Sequence, residues 1–201
     1  MKLYYTNGAC SLASNIALRE AAQDFELVRV DLSSHTTETG DNYYEINPKG
    51  YVPALKLPDG SILTEGVAIL QYVADLNKES NLAPASGTME RYRLQEWLTF
   101  ISSEIHKGFS PLFNPAISES DAVMVKEKLN KRFPLLESAL SQKTFLMGEN
   151  FTVADSYLFT ILNWAQKFNM NFGSYPHIQK FMDTVKNRPK VQDALHSEGL
   201  I

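Results

Sequence analysis

The segment NPKGYVPALKLPDGSILTEGVAILQYVADL, from Asn47 to Leu76, determines the predicted fold of this chain. Its first four residues have the turn-forming character of a loop, and the following proline favours an extended conformation for Val52. The short apolar runs on either side of the PDG turn predict a β-hairpin. From Gly66 onward, apolar residues recur with helical spacing. The segment therefore predicts a loop, a hairpin and a helix, in that order.

Two points in this segment are suited to bind a ligand through the backbone. A cis bond between Val52 and Pro53 would turn the Val52 N–H and C=O outward, where they would pair with an extended peptide. At Gly66 the predicted helix begins; its free N–H groups favour an anion, while Glu65 beside it suits a cation. The alternative reading is purely structural: proline marks the start of a strand, and glutamate compensates the helix dipole.

Composition indicates an ordinary globular protein of one large or two small domains. The 201 residues are 44% hydrophobic and 21% charged, with a net charge of -4, which does not favour nucleic acid or an anionic membrane. No apolar run approaches the ~18 residues that span a bilayer. A single cysteine excludes an internal disulfide, so we expect a cytoplasmic location. The 4 histidines lack metal-ligand spacing with that cysteine, and we expect no metal.

Residues 1–78 predict an α/β domain. A strand near Lys2, a helix after Ser11, a strand at 25–30 and a helical turn near 41–45 precede the hairpin and the helix described above. This order predicts a parallel pair of strands extended by an antiparallel hairpin. Residues 79–87 are rich in Asn, Ser, Ala, Pro and Gly and predict a linker. Residues 88–201 predict a second domain that is entirely helical.

In the second domain, a first long helix is predicted to close at His106 and Lys107, whose cations complement a helix C-terminus. Gly108 and Pro111 are expected to break that helix. A second helix is predicted over 121–140, with a kink at Pro134.

A capping box is predicted at Thr152, where the side chain of Asp155 reaches back to the start of a helix that continues to 166. Two further helices are predicted at 175–188 and 189–195, the latter opened by Pro189.

Cys10 lies in a Gly-Ala-Cys-Ser turn between the first strand and the first helix. Because a helix N-terminus lowers the pKa of a thiol, we expect Cys10 to be a nucleophile or a hydrogen-bond partner. A lone cysteine is also often a small buried hydrophobic residue. A dithiol redox motif requires a second cysteine at position 13, which is Ala13. Any disulfide of Cys10 must therefore form with another molecule.

These features resemble the bacterial beta-class glutathione S-transferases. The resemblance rests on GACSLA at 8–13, NPKGYVPAL at 47–55, LTEGVAI at 63–69 and FTVAD at 151–155, and it extends over essentially the whole chain. The VPAL and TEG blocks are typical of the wider superfamily. The cysteine turn, together with His106 and Lys107, indicates the beta class.

The resemblance implies a thioredoxin-like N-terminal domain, an all-helical C-terminal domain and a homodimer that uses glutathione as co-substrate. The Val52 backbone would pair with the cysteinyl part of glutathione, and Glu65 with the Gly66 N–H would hold its γ-glutamyl end. Cys10 would lie at the glutathione sulfur, as a hydrogen-bond donor or as a mixed disulfide. The remaining glutathione-binding residues of this domain would be Ala9, His35, Tyr51 and Pro53.

In the helical domain, the resemblance implies that His106 is catalytic, faces Cys10 across the cleft between the domains and has Lys107 beside it. Ser103 is a weaker candidate on the same predicted helix face, one turn earlier. A small apolar electrophile would be bound in that cleft. Its lining would be Tyr51, His106, Phe109, Phe113 and Trp164, although helical spacing alone favours a place in the core for Trp164.

The sequence departs from the family pattern at two positions. The family often has lysine at the position of His35, which would otherwise be read as a solvent-exposed loop residue. An ordinary histidine is fully charged only below pH ~6.5, so we expect glutathione to bind more tightly as the pH falls toward 6. The family also often has asparagine, contributed by the partner subunit, at the position of Thr99. Threonine has a shorter reach and predicts weaker binding.

The predicted function is conjugation of glutathione to small apolar electrophiles. A variant of this function is redox chemistry through Cys10, which would reduce peroxides or disulfides. An alternative from another class is a non-catalytic protein on the same fold that sequesters apolar compounds or regulates a partner, because fold alone does not establish function.

Overall fold

The structure, a computed structural model, describes residues 1–201. One mixed sheet has the strand order β3-β2-β1-β4-β5. Strands β1 and β2 are parallel, and every other neighbouring pair is antiparallel, as the sequence predicted for the hairpin. The strands are β1 (Lys2–Tyr5), β2 (Glu26–Asp31), β3 (Thr36–Thr37), β4 (Ala54–Lys56) and β5 (Ile62–Thr64). The short β3 was not predicted.

The α-helices are α1 (Leu12–Glu20), α2 (Tyr43–Ile46), α3 (Gly66–Leu76), α4 (Met89–Phe100), α5 (Lys107–Phe109), α6 (Glu119–Asn130), α7 (Phe133–Leu140), α8 (Val153–Leu162), α9 (Trp164–Lys167), α10 (Pro176–Lys186) and α11 (Pro189–Ser197). Short 3-10 helices occupy Lys78–Ser80 and Ser110–Phe113, and Ile101–His106 is a π-helix. None of the helices combines the length and the apolar character needed to cross a lipid bilayer.

The chain forms two compact units: the first comprises Met1–Ala83 and Asn187–Ile201, and the second comprises Pro84–Lys186. The change of unit after Ala83 falls inside the predicted linker. Assignment of residues 187–201 to the helical domain is wrong, because α11 packs against α1 of the first unit. Arg188 also forms an ion pair with Glu20, with 2.7 Å between Nε and Oε1.

In the first unit, the apolar side chains of α1 and α3 form a core against the sheet. Ile16, Ile69, Leu70 and Val73 are fully buried because the helical spacing of apolar residues in these segments places them on one face. A second cluster of buried residues comprises Tyr4, Val30, Tyr43, Val52 and Ala54. It includes the residue before the proline of the VPAL block, so the loop that carries Val52 is anchored in the core.

In the second unit, the helical path continues through Gly108, contrary to the expected break. Residues 89–113 are helical throughout, and Pro111 lies in the final 3-10 turn. A Cβ at Gly108 would lie 2.6 Å from Cδ2 of Leu129, so glycine here permits close approach of α5 and α6. The predicted helix with a kink at Pro134 is instead two helices, α6 and α7, with Pro134 in the first turn of α7.

Helix α8 is buried along its whole length and begins with the predicted capping box. The Asp155 carboxylate accepts hydrogen bonds from the Thr152 N–H and hydroxyl, both at 2.8 Å, and from the Leu146 N–H, also at 2.8 Å. A carboxylate buried at a helix N-terminus is stabilised by these donors and by the helix dipole. The box therefore fixes the start of α8 against the preceding loop.

Candidate active site

The turn that carries Cys10 joins β1 to α1. The Ala9 N–H donates to the Thr6 carbonyl at 3.0 Å, and Ser11 is the N-cap residue of α1. Cys10 therefore lies immediately before the first helical turn, as predicted, and is half-buried. Its Sγ donates a hydrogen bond to the Val52 carbonyl at 3.2 Å, which joins this turn to the VPAL loop.

The Cys10 thiol is protonated at neutral pH. Burial raises its pKa to about 12, outweighing the backbone N–H groups of Cys10 and Ser11, which lower it. The negative charges of Glu198 and Glu65 add to the increase. The expectation that the helix N-terminus lowers this pKa is therefore wrong, because desolvation of the thiolate is the larger effect. In this state Cys10 is a hydrogen-bond donor and a poor nucleophile.

Glu198, which follows α11, forms hydrogen bonds with the Cys10 turn and with α1. Its carboxylate accepts from the Gly8 N–H at 2.9 Å and from the Asn15 side chain at 3.0 Å, and its backbone carbonyl accepts from the Asn7 side chain at 2.6 Å. Burial raises the pKa of Glu198, although Asn15 and the Gly8 N–H lower it. Sequence reasoning missed this role, because no local pattern relates residue 198 to residue 8.

The Val52-Pro53 bond is cis, as the family resemblance implies. Val52 is buried, its carbonyl accepts the Cys10 hydrogen bond, and its N–H has no hydrogen-bond partner within the chain. The preceding Tyr51 carbonyl accepts from the Tyr43 hydroxyl at 2.9 Å and from the Asn47 side chain at 2.7 Å. The Tyr51 side chain itself is exposed. This loop is therefore fixed and presents one free backbone donor beside the thiol.

Glu65 and Gly66 begin α3, as predicted. Glu65 has a positive φ of 70°, a conformation that non-glycine residues rarely adopt and that is often found at functional sites. A Cβ built at Gly66 would lie 3.8 Å from Cγ of Pro53, so the helix start adjoins the cis-proline. Lys49 pairs with Glu65 at 2.5 Å and donates to Thr64 at 3.2 Å. Lys49, from the loop before the hairpin, therefore neutralises the Glu65 carboxylate in this structure.

His35 lies at the edge of the same unit and is half-buried, not solvent-exposed as an unassigned loop residue would be. Its ring packs against Tyr44, with 4.3 Å between ring centroids, and its Nδ1 is buried without a hydrogen-bond partner. A Cβ at Gly50 would lie 2.7 Å from the Tyr44 ring and 3.2 Å from the His35 ring. Glycine at this position therefore makes room for the two rings.

In the second unit, Thr99 lies in α4, Ser103 and His106 lie in the π-helix, and Lys107 begins α5. Thr99, Ser103 and Lys107 are exposed, and the Ser103 hydroxyl donates to the Thr99 carbonyl at 2.9 Å. The expectation that Ser103 shares a face with His106 assumed α-helical spacing. That assumption is wrong here, because a π-helix has a longer turn.

His106 lies in a cluster of aromatic side chains. Its Nδ1 is 2.6 Å from the Tyr157 hydroxyl, and its ring meets Trp164 edge-on at 5.1 Å between centroids. Burial, and secondarily the charge of Lys107, lowers the pKa of His106 to about 4, so its ring is neutral at physiological pH. The cluster consists of His106, Phe109, Phe113, Tyr157, Trp164 and Phe168.

Comparison with known proteins identifies the family. Residues 9–76 match the profile of the glutathione S-transferase N-terminal domain, and residues 100–189 match that of the C-terminal domain. Glutathione S-transferase GstA of Escherichia coli O157:H7 is 48% identical over 200 residues, covering 100% of both chains. This chain belongs to the glutathione S-transferase family.

Solved structures of the family support the assignment. A sphingomonad glutathione S-transferase complexed with glutathione superimposes with a TM-score of 0.96 at 44% identity, covering 100% of each chain. A bacterial beta-class glutathione S-transferase of Sphingomonas chungbukensis gives a TM-score of 0.97 at 43% identity, again covering 100% of each chain. The predicted resemblance to the beta class is confirmed, as is the fold of a thioredoxin-like domain and a helical domain.

Within this glutathione S-transferase, the predicted site residues fall into two groups. In the first unit, Cys10 contacts Val52, and the start of α3 at Gly66 adjoins Pro53. Ala9, Tyr51 and Glu65 are their neighbours in the chain, whereas His35 packs against Tyr44. Those of the second unit are Thr99, Ser103, His106 and Lys107, of which His106 alone lies in the aromatic cluster. Lys49, Tyr157 and Glu198 were not predicted.

Proposed function

We propose that this protein conjugates glutathione to small apolar electrophiles. The observation that supports this most strongly is the cluster of Cys10, Val52, Pro53 and Gly66. There, a ligand with a thiol, an extended amide and a carboxylate would meet the Cys10 S–H, the free Val52 N–H and the N-terminus of α3. The Cys10 Sγ lies 3.2 Å from the Val52 carbonyl, and the helix start adjoins the proline.

Each group in this cluster matches one part of glutathione. The Val52 N–H would pair with the cysteinyl backbone in the manner of an added strand. The N-terminus of α3, an 11-residue helix, would bind the γ-glutamyl carboxylate, and Glu65 would bind the γ-glutamyl amine. Lys49 forms an ion pair with Glu65 in this structure. We infer that the amine of glutathione replaces Lys49 as the partner of the Glu65 carboxylate. His35 would meet the glycyl carboxylate.

The reaction follows from the state of the two thiols. Glutathione loses its thiol proton to solvent, and its sulfur then attacks an electrophilic carbon; a C–S bond forms while the leaving group departs with its electron pair. In the complex, the single S–H of Cys10 would turn from the Val52 carbonyl to the glutathione sulfur and stabilise its anionic form. Because the Cys10 thiol is protonated, conjugation is favoured over redox chemistry through a Cys10 thiolate.

The electrophile is proposed to bind at the aromatic cluster of the second unit, where Phe109, Phe113 and Trp164 supply apolar surface and His106 a polar group. We propose a cytoplasmic homodimer in which Thr99 reaches the partner's glutathione, as the family resemblance implies. We also propose that the reaction needs no metal; activity is then expected to survive dialysis against a chelator.

The test compares wild type with Cys10→Ala and Glu65→Gln, using an activated aryl chloride as electrophile. Cys10→Ala is expected to retain part of the conjugating activity and to lose all thiol-disulfide exchange. Glu65→Gln is expected to raise the KM for glutathione by about 10- to 100-fold, which is the loss of one charged hydrogen bond. Glu79→Gln, an exposed acid of the same unit, is the matched control and should leave KM unchanged.

Three results would contradict the proposal. Retention of glutathione without turnover of any electrophile would favour the non-catalytic binding role. Full loss of conjugation in Cys10→Ala, with a removable glutathione adduct in the intact mass of wild type, would favour redox chemistry. An unchanged glutathione KM in Glu65→Gln would remove Glu65 from the glutathione site.

A further inference from the structure

The environment of His106 determines which of its ring nitrogens carries the proton. The residue closes the π-helix and is held between side chains of its own unit, with Tyr157 edge-on at 5.8 Å and Trp164 at 5.1 Å between ring centroids. π-Helical segments are uncommon and are frequently found at functional sites. The imidazole is therefore held in one orientation by rings on two sides.

Tyr157 is itself rigidly placed. It lies in the fully buried helix α8, two residues after Asp155, whose carboxylate fixes the start of that helix through bonds to Thr152 and Leu146. The Tyr157 side chain is only 4% exposed. Its hydroxyl therefore occupies a defined position 2.6 Å from His106 Nδ1.

The direction of this hydrogen bond follows from the chemistry of the two groups. A neutral imidazole has one N–H donor and one acceptor nitrogen. The His106 ring is neutral at pH 7, because burial and the charge of Lys107 lower its pKa to about 4. A phenol O–H is a stronger donor than an imidazole N–H, and the imidazole nitrogen is the stronger acceptor. The Tyr157 hydroxyl therefore donates to Nδ1, and the proton of the ring remains on Nε2.

We propose that Tyr157 is a positioning residue that fixes the Nε2–H tautomer of His106, so that His106 acts as a hydrogen-bond donor and not as a base. This inference deepens the proposed function, on which its kinetic part rests. An Nε2–H donor stabilises negative charge on an oxygen or halogen atom of the electrophile proposed to bind at the aromatic cluster. It cannot act as a base, because Nδ1 already accepts the Tyr157 hydrogen bond. The site would accordingly favour electrophiles that develop negative charge near His106 as the C–S bond forms.

The decisive measurement is a two-bond ¹H–¹⁵N correlation spectrum of the histidine side chains at pH 7, which reports the tautomer of each ring directly. Loss of one resonance set in His106→Asn assigns His106 among the 4 histidines. The wild-type protein is expected to show the Nε2–H tautomer alone. In Tyr157→Phe, which keeps the ring and removes only the hydroxyl, the Nδ1–H tautomer should appear as well.

Kinetics supply the second measurement. In Tyr157→Phe, kcat is expected to fall by about 3- to 10-fold, the value of one hydrogen bond, while the KM for glutathione stays constant. Tyr175→Phe is the matched control, because Tyr175 packs on Phe133 in the same unit and is not part of the aromatic cluster around His106. It should change neither the His106 spectrum nor kcat.

An Nδ1–H tautomer in the wild-type protein would overturn the proposal, as would a His106 spectrum that Tyr157→Phe leaves unchanged. These outcomes do not depend on catalysis. A wild-type protein that shows the Nε2–H tautomer but conjugates nothing would instead refute the proposed function. If Tyr157→Phe lost its fold, the wild-type spectrum alone would still decide the tautomer.

Discussion

Cys10 is expected to react slowly with a small uncharged disulfide, dithiodipyridine, as long as the protein is folded. Its pKa is raised from 9.0 to about 12, so below pH 9 the thiolate fraction is lower by roughly a thousandfold than in an ordinary thiol. A thiolate of higher pKa is more nucleophilic, with a Brønsted coefficient of about 0.4–0.5, which restores roughly 20-fold. The net expectation is a reaction roughly 50-fold slower than that of the unfolded chain.

The single cysteine makes this assay specific, since the released pyridinethione reports Cys10 alone. The reference is the same chain unfolded in guanidinium chloride, and Cys10→Ala should release nothing. The rate of the folded protein should continue to rise about tenfold per pH unit up to pH 11, whereas that of the unfolded chain levels off near pH 9. Circular dichroism at each pH confirms that the fold persists.

The shape of the pH profile separates protonation from shielding. Steric shielding of a buried thiol slows the reaction by the same factor at every pH and leaves the midpoint unchanged. A folded-state rate that levels off at or below pH 9 would therefore refute the conclusion that burial keeps Cys10 protonated. It would also restore Cys10 as a candidate nucleophile.

Two further changes test the contacts that support the sites. Asp155→Ala is expected to lower the free energy of unfolding by about 3–5 kcal/mol in urea titrations, because it leaves buried donors unpaired. Asp121→Ala, at an exposed position, is the control and should cost less than about 1 kcal/mol. Similar losses in the two variants would contradict the role of Asp155 as the acceptor of these donors. Glu198→Ala is expected to cost about 2–5 kcal/mol, since it removes the acceptor of the Gly8 and Asn15 donors. Because the pKa of Glu198 is raised in the folded state, wild type gains stability as the pH falls through that pKa toward 4.5. The difference in the free energy of unfolding between wild type and Glu198→Ala should therefore widen on acidification. A difference that stays constant or narrows would argue against a raised pKa.

Local sequence patterns predicted the parts of the structure that depend on local chemistry. The turn residues and the apolar spacing of the Asn47–Leu76 segment predicted the hairpin and the helix start at Gly66, whereas the cis bond at Pro53 was implied by the family resemblance. The Thr152 capping box was predicted for the same reason, since both partners lie within one helical turn.

Features that depend on distant contacts could not be predicted in this way. Gly108 was expected to end a helix by its low propensity, but its close approach to Leu129 of another helix decides the outcome. The protonation of Cys10 depends on its burial and on Glu198, which no pattern near position 10 reveals. The contact between His106 and Tyr157 likewise joins residues 51 positions apart, and the π-helix that precedes it has no recognised sequence signal.

The return of residues 187–201 to the first unit also determines when the cysteine turn can be completed during biosynthesis. A nascent chain presents Gly8 and Asn15 to solvent while residues 84–186 are still being translated, because their carboxylate partner is Glu198. The hydrogen bonds from Gly8 and Asn15 to Glu198 therefore form only after the helical unit has left the ribosome. A product truncated within that unit would carry the Cys10 thiol but not the Glu198 contacts that hold its turn, so this turn is completed only in chains whose translation has passed Glu198.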